Sequence, residues 1–219
     1  MNRVRVSISR IRNRLEGLYD RSYEPARYWT RRGRVFVDEE YQRGIYPQHE
    51  WLAKRIESLQ ALSLLEVGCG FGRNLRFLAQ RLERPPRMNG VDISPTMLRS
   101  ARNYLRDFPE IQLQAGNAAR LPLNESSVDV VLLHGVLMHQ APEQGLHALC
   151  EALRVARVAV LGVEEITREW SEETIGSEPI NNVTWCHPYV RWFRESGAIV
   201  SRLERHEPLI WYEVLPEHE

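Results

Sequence analysis

The chain has 219 residues, and its 29 Lys and Arg residues balance 29 Asp and Glu residues, so the formal net charge is zero. This length fits one domain with a sizeable core and a small appendage, and the neutral total gives no indication of a nucleic-acid or membrane partner. No apolar run has the length of a transmembrane segment, and the three cysteines lack metal-ligand or disulfide spacing, so we expect a cytoplasmic protein with reduced thiols and no metal.

The first twenty residues place apolar side chains at helical spacing with arginines between them, which predicts a basic amphipathic helix. Residues 1–34 hold ten Arg against three acidic residues. Three interpretations stay open. The helix packs on the domain or on a second copy of the chain as a homodimer, it binds an acidic partner or anionic lipid, or it is an organelle transit peptide.

Residues 21–46 are irregular and rich in aromatic side chains, so we separate an N-terminal segment, 1–46, from a main domain, 47–219. The aromatic rings either cover the core or face a ligand. Tyr28 and Tyr46 are our candidates for ligand contacts. A helix is predicted from Gln48 to Gln60, because its apolar residues recur at helical spacing.

Residues 62–82 have the pattern of a buried strand, a glycine turn and a helix. Gly68, Gly70 and Gly72 form the turn, where the backbone can approach a ligand because no Cβ intervenes. Free N–H groups at the start of the following helix can bind the polar part of that ligand. Glu66 stands just before the glycines, where its carboxylate can face a cationic group.

A second strand is predicted over 87–92 and ends at Asp92. An acidic residue at this distance from the glycines is placed to bind the hydroxyls of a ribose in a βαβ nucleotide site. The dinucleotide fingerprint itself fails, because its third glycine would fall at Arg73, and this disfavours a nucleotide-dependent dehydrogenase. Ser94 and Pro95 are a good helix start.

The remaining elements continue the alternation of strands and helices that is typical of an α/β fold. Residues 166–184 are predicted as a long polar connection without regular structure. The predicted elements are strands at 111–115, 127–133, 157–162, 198–205 and 209–215, and helices that open at Ala141-Pro142 and at 186–188.

The pattern E-x-G-x-G-x-G from Glu66, followed by V-D-I-S, resembles the class I S-adenosylmethionine-dependent methyltransferases. The stretch from Gly116 to Leu123 resembles the third motif of that family, and H-G-V-L at 134–137 resembles its stretch beside the methyl donor. The resemblance implies a Rossmann-like, doubly wound, mostly parallel seven-stranded sheet with an antiparallel last strand. It also implies S-adenosyl-L-methionine as cofactor and a lid formed by the segment before the first strand.

The resemblance further implies which residues contact the cofactor. Glu66 faces the amino end of the methionine, and Asp92 holds the ribose hydroxyls. Asn117 stands where the family has an acidic residue for the adenine amino group, and its alternative role is that of a turn residue bonded to its own backbone. The full set is Glu66, Gly68, Cys69, Gly70, Gly72, Asp92, Ile93, Asn117, Ala118, His134 and Gly135.

Methyl transfer from a sulfonium mainly requires that two reactants are positioned and water is excluded. A base is needed only where the acceptor must lose a proton. Our candidate bases are His139, then His134 and His187, followed by Glu164 or Glu165, and Glu164 is also a candidate substrate contact. For each histidine, the alternative is a structural role as a hydrogen-bonding side chain.

The motifs say little about the acceptor. The tetrapeptide N-P-P-Y is absent after the fourth predicted strand, which argues against enzymes that methylate amino groups of DNA or of protein glutamine. The sequence is similar to methyltransferases found near bacterial sugar and surface-polysaccharide biosynthesis. We therefore expect a small-molecule acceptor, methylated on oxygen or nitrogen. The alternatives are a binding or scaffold protein that keeps the fold without turnover, and an RNA methyltransferase that uses the basic N-terminal helix.

Overall fold

The computed structural model describes residues 23–217. The predicted basic helix lies outside the described residues, so a homodimer formed through it stays a prediction. Within 23–217 the strands are β1 Ser63–Val67, β2 Arg87–Asp92, β3 Gln112–Ala115, β4 Val128–His134, β5 Ala156–Glu165, β6 Glu178–Asn181, β7 Thr184–Cys186, β8 Ile199–His206 and β9 Leu209–Leu215.

Seven of these strands form one sheet in the order β3–β2–β1–β4–β5–β9–β8. The neighbouring pairs β3–β2, β2–β1, β1–β4 and β4–β5 are parallel. In contrast, β9 runs antiparallel to both β5 and β8. This confirms the predicted Rossmann-like sheet with an antiparallel last strand. The strand order reverses between β1 and β4, and ligands bind at such a switch point in open α/β sheets.

Helices cover both faces of this sheet. One face packs against α3, α4 and α5, and the other packs against α6 and α7. Adjacent strand residues therefore enter different cores, as Leu64 and Leu65 of β1 do. The helices are α1 Pro25–Arg32, α2 Glu40–Arg43, α3 Pro47–Ser58, α4 Arg73–Arg81, α5 Pro95–Tyr104, α6 Pro142–Val155 and α7 Tyr189–Glu195.

The polar connection predicted over 166–184 is wrong in part, because β6 and β7 form a small antiparallel hairpin there. Large aromatic side chains stabilise the hairpin. In the sequence they stand among polar residues, which give no strand pattern. Trp170 and Trp185 are both buried. The indole N–H of Trp170 donates to the carbonyl of His187 at 3.0 Å.

Asp129 explains how a carboxylate is tolerated inside the apolar run of β4. It accepts N–H bonds from Leu62 at 2.9 Å and Ser63 at 3.1 Å, and it pairs with Arg157. Burial alone would raise the pKa of Asp129, but these donors outweigh it and hold the pKa below its usual value. Asp129 therefore stabilises the fold above about pH 4, and this contribution is lost as the pH falls through its lowered pKa.

We predict that Gly162→Ala lowers the free energy of unfolding by about 2 kcal/mol, because the added methyl group overpacks the core. Gly162 of β5 pairs with Tyr212 of β9, and a Cβ at this position would lie 1.9 Å from the Cζ atom of that ring. The Tyr212 ring is fully buried and has little room to move. Denaturant unfolding measures the effect.

The matched control is Gly176→Ala, because a Cβ at Gly176 would meet no heavy atom within 4 Å. We expect this second variant to unfold within about 0.5 kcal/mol of the wild type. Equal stability of the two variants would contradict the packing argument.

Candidate functional site

The carboxyl ends of β1, β2, β4 and β5 surround a cavity of about 690 Å³. This volume is within the range of small-molecule and cofactor sites. The cavity lies at the switch in strand order and is closed on one side by the segment from Tyr28 to Tyr46. Most of the sequence-based candidate residues line this cavity.

The three glycines of the turn after β1 have different roles. All three have positive φ angles, of 67° at Gly68, 54° at Gly70 and 88° at Gly72. A Cβ at Gly70 would meet no heavy atom within 4 Å, and Gly70 lines the cavity. A Cβ at Gly68 would lie 2.7 Å from Val136, and one at Gly72 would lie 2.6 Å from Leu105.

Gly72 is not among the cavity-lining residues, so a direct contact of this glycine with the cofactor stays a prediction. It is the N-cap residue of α4 and makes room for the side chain of Leu105 at the end of α5. Gly68, Cys69 and Gly70 do line the cavity. Burial raises the pKa of the Cys69 thiol well above its usual value, so this cysteine stays a neutral thiol.

Asp92 ties the glycine turn to the end of β2. Its Oδ2 atom accepts the N–H of Gly70 at 2.8 Å, and its Oδ1 atom accepts the N–H of Ser94 at 2.8 Å. Burial raises the pKa of Asp92, although these two N–H bonds oppose the shift. Asp92 and its neighbour Ile93 both line the cavity.

Glu66 lies in the cavity wall at the end of β1. Its Oε1 atom accepts an N–H bond from the Asn74 amide at 2.6 Å, whereas its buried Oε2 atom has no partner within the described residues. Burial raises the pKa of Glu66 to about 8, although the Asn74 bond and the charge of Arg73 oppose the shift. Glu66 is thus a carboxyl group with an unused acceptor beside the cavity.

Arg73 is a cavity residue that the sequence reasoning missed. In the sequence, this position indicates only that the dinucleotide fingerprint fails. Its guanidinium lines the cavity and donates two long bonds, of 3.5 Å to the carbonyl of Tyr41 and 3.4 Å to that of Gln42. Among residues 23–217 it makes no salt bridge. Its place directly after the glycine turn was the available signal.

His134 lines the cavity, but its environment argues against the predicted role as a base. Its ring stacks on His49 at 5.7 Å between centroids, and its Nε2 atom is buried without a partner in the described part of the chain. Burial, then the charge of Arg73, lowers the pKa of His134 to about 3. A histidine with so low a pKa is a weak proton acceptor at neutral pH. The adjacent Gly135 also lines the cavity.

His139 has the geometry of a base. It lies on the short helical turn Leu137–His139, lines the cavity, and packs its ring 4.9 Å from that of Trp29. Its Nδ1 atom lies 2.8 Å from the carbonyl oxygen of Val183, which can only accept, so we assign the proton to Nδ1. The Nε2 atom is left with a lone pair. Burial lowers the pKa of His139, although the Val183 bond opposes the shift, and this keeps the ring neutral.

His187 contradicts the prediction that it acts as a base. It is fully buried and is not among the cavity-lining residues. Its Nδ1 atom bonds to the hydroxyl of Ser177 at 2.8 Å, and its Nε2 atom bonds to the carbonyl of Leu137 at 3.0 Å. The ring also stacks on Trp192 at 4.3 Å. His187 is therefore a structural residue that joins the β6–β7 region to the turn that carries His139.

Glu164 also contradicts its predicted role as a substrate contact. Its carboxylate is fully buried and accepts N–H bonds from Val136, Leu137 and Met138 at 3.1, 3.0 and 2.9 Å. Burial raises its pKa to about 8, although these bonds oppose the shift. Glu164 does not line the cavity, but the next residue, Glu165, does. Glu164 therefore fixes the turn that presents His139.

Asn117 adopts the turn geometry that was the alternative to its adenine contact. Its side-chain carbonyl accepts the N–H of Ala119 at 2.9 Å. Asn117 and Ala118 both line the cavity, so a ligand can reach their backbone and the free amide group. The side-chain oxygen is already engaged in the described structure.

The segment from Tyr23 to Tyr46 covers the cavity and is bonded to its rim. The hydroxyl of Ser94 donates to the carbonyl of Trp29 at 3.1 Å, and the hydroxyl of Thr96 donates to that of Thr30 at 2.6 Å. The hydroxyl of Tyr23 donates to the carbonyl of His139 at 2.9 Å. The residues of this segment that line the cavity are Tyr28, Trp29, Arg32, Phe36, Tyr41, Gln42 and Tyr46, which include both predicted tyrosines.

Within 23–217, none of the helices has the length and apolar character that a bilayer crossing requires. The same residues contain no group of three or more His, Cys, Asp or Glu side chains that could hold a metal ion.

The sequence of residues 64–158 matches a family described as "Methyltransferase domain". The demethylmenaquinone methyltransferase of Tropheryma whipplei is 35% identical over 94 residues, which are 43% of this chain and 37% of that protein. The chain spans 27% to 46% of the length of the first curated relatives that it matches. These relatives therefore share a domain with this chain.

Solved structures share the fold over nearly the whole chain. The CcbJ methyltransferase from Streptomyces caelestis has a TM-score of 0.71 at 16% identity, with 90% of this chain and 100% of that chain covered. The magnesium protoporphyrin IX methyltransferase from Synechocystis, with bound S-adenosylmethionine, has a TM-score of 0.65 at 14% identity, with the same coverage. Identities this low show the fold alone.

We predict that Thr96→Val loosens α1, because the substitution keeps the side-chain shape but removes the hydroxyl that donates to Thr30 and also bonds to the Ser94 hydroxyl. The loss of one such bond costs about 1 kcal/mol, which corresponds to roughly fivefold faster exchange of the α1 amides. Hydrogen exchange at residues 28–33 measures this. Ser100→Ala on the same helix is the control, since no side-chain bond of Ser100 is present within the described chain. Unchanged exchange in Thr96→Val would contradict the contact.

Proposed function

We propose that this chain, whose residues 64–158 form a methyltransferase domain of the class I fold, transfers a methyl group from S-adenosylmethionine to an oxygen or nitrogen atom of a small molecule. The observation that supports this best is the glycine turn, whose open side at Gly70 faces the cavity between the carboxyl groups of Glu66 and Asp92. A sulfonium nucleoside carries a cationic and a diol group that suit these two carboxyl groups.

The residues present fit S-adenosylmethionine along its whole length. The unpartnered Oε2 atom of Glu66 suits the ammonium group of the methionine, and Arg73, which lacks an acidic partner among residues 23–217, suits the carboxylate. Asp92 suits the ribose hydroxyls, because each of its oxygens accepts one N–H bond and keeps capacity for a second. Ile93 offers an apolar surface to the adenine.

When bound, S-adenosylmethionine supplies a methyl group on a positively charged sulfur, which leaves as a neutral thioether with the electron pair of the broken carbon–sulfur bond. The residues of the cavity would hold the acceptor with its lone pair towards this methyl group, so that positioning supplies most of the catalysis. His139 accepts the proton that a hydroxyl or amine acceptor loses, through its Nε2 lone pair. The aromatic residues of 28–46 exclude water from the cavity.

The rings around the cavity support an acceptor with a flat or apolar body. The ring of Trp29 contacts those of Tyr28 and Phe36 edge to face, at 5.1 and 5.8 Å between centroids. All three rings line the cavity. One relative is named for demethylmenaquinone, whose quinone ring is flat and unsaturated. Edge-to-face aromatic walls bind such molecules well.

We predict that cofactor binding becomes tighter as the pH rises from about 6 to about 8. In the free protein, burial raises the pKa of Glu66 to about 8, so the group is mostly protonated at pH 7. A bound ammonium group favours the ionised carboxylate, so binding releases up to about one proton. Arg73 opposes the raised pKa and Asp92 adds to it, while His134 and His49 stay neutral because burial lowers their pKa to about 3 and about 4.

Calorimetric titration with S-adenosylhomocysteine, in buffers of different ionisation enthalpy, measures the affinity and the released proton. Glu66→Gln removes the titrating group, so we expect about tenfold weaker binding at pH 8 and no pH dependence. The exposed Glu172→Gln is the matched control and should behave as the wild type. The raised pKa also makes the free protein less stable as the pH rises from 4.5 towards about 8.

The methyltransferase function is tested directly by incubation with methyl-labelled S-adenosylmethionine and a small-molecule extract of the producing organism. We expect the label in a small molecule, identified by mass analysis. His139→Gln should reduce the turnover rate by a factor of about 10² or more without weakening S-adenosylhomocysteine binding. A chain that binds no S-adenosylhomocysteine, or labels only RNA, is not the proposed enzyme.

A further inference from the structure

We propose that the acceptor of this enzyme carries a cationic amine, which the carboxylate of Glu165 binds inside the cavity. The proposal rests on the proposed methyltransferase function, because it assigns the chemistry of the second ligand of the same site. The amine is a recognition group on the acceptor and need not be the atom that receives the methyl group.

Glu165 is the last residue of β5 and lies at the carboxyl edge of the sheet. Side chains alternate along a strand, so Glu165 and Val163 line the cavity while Glu164 points to the other side, under the turn Leu137–His139. In the described structure the Glu165 carboxylate makes no hydrogen bond and no salt bridge. The side chain is nevertheless partly buried, and this burial raises its pKa.

The other charged groups of the cavity are either paired within the chain or assigned to the cofactor. Arg32 pairs with Glu39 at 2.5 Å, and the guanidinium of Arg73 lies on the glycine-turn side of the cavity, where it bonds to carbonyl groups. Glu66 and Asp92 also lie on that side, which we assign to the cofactor. Among the described charged residues of the cavity, Glu165 therefore remains for the acceptor, and its charge is negative.

The surroundings suit an amine on an apolar body. Leu209 of β9 pairs with Glu165 across the sheet, and Leu209, Pro208 and Val183 give the cavity apolar walls. The rings of Tyr28 and Trp29 line the same cavity, and aromatic faces attract cations. An ammonium group paired with Glu165 would therefore lie in a cavity that also has apolar and aromatic walls.

The charge of the methyl donor gives a second reason for a carboxylate at this position. The methyl donor carries a positive charge on sulfur, and a cationic acceptor that approaches it is repelled. A negative side chain beside the acceptor offsets this repulsion where the dielectric constant is low. An anionic acceptor would instead be repelled by Glu165, which predicts discrimination against carboxylates and phosphates.

The test uses the full chain saturated with S-adenosylhomocysteine, which blocks turnover. Three probes of similar shape and different charge are titrated at pH 7.5: 2-phenylethylamine, 2-phenylethanol and phenylacetate. We expect the amine to bind about two- to fivefold more tightly than the other two, as a partly exposed ion pair gives. Glu165→Gln should reduce the affinity for the amine to that for the alcohol.

Two further variants separate charge from shape. Glu165→Asp keeps the charge, so the preference for the amine should persist, and this variant also serves if Glu165→Gln fails to fold. The exposed Glu172→Gln makes the same chemical change away from the cavity and should leave all three affinities unchanged.

The proposal is overturned if phenylacetate or 2-phenylethanol binds as tightly as the amine, if the preference survives Glu165→Gln, or if none of the three probes binds. Failure of the methyltransferase function is distinguishable, because it would show earlier, as a lack of S-adenosylhomocysteine binding to the wild type. Retained S-adenosylhomocysteine binding without a preference for the amine would remove only the role of Glu165.

Discussion

The site depends on one carboxylate that two backbone segments share. Asp92 accepts the N–H of Gly70 from the turn after β1 and the N–H of Ser94 from the start of α5. Gly70 has no side chain that could fix the turn, so a residue of another element, Asp92, has to fix it by a hydrogen bond. Ser94 in turn bonds to Trp29. The glycine turn, the end of β2 and the covering segment are thereby held in one arrangement, which gives the cavity its shape.

Four other carboxyl groups of the sheet fall into two pairs according to their hydrogen bonds. Asp129 and Glu164 accept several backbone N–H bonds, and Asp129 also pairs with Arg157, so they fix elements of the fold. Glu66 and Glu165 keep unpaired oxygens and line the cavity. A carboxyl group that is desolvated without a partner costs free energy, which a cationic ligand can offset. The unpaired groups are therefore the ones to which we assign ligands in our proposals.

The order of strands and helices could be predicted from the sequence, because each element has a local signal. Glycines with free backbone angles, Ser94-Pro95 at a helix start and apolar runs of strand length are read within a few residues. Asp92 was found in the same way, from its distance to the turn. The β6–β7 hairpin was missed, since its stability comes from buried Trp170 and Trp185, whose contacts are distant in sequence.

The sequence by itself determined the sheet, the glycine turn and the set of candidate histidines and carboxylates. Only the tertiary structure decided which members of that set reach the cavity. Glu164 and Glu165 are adjacent and chemically identical, yet a strand turns them to opposite sides, and the packing of its two faces selects which one meets a ligand. His187 and His139 differ likewise. Hydrogen bonds occupy both ring nitrogens of His187, whereas Nε2 of His139 stays free to accept a proton.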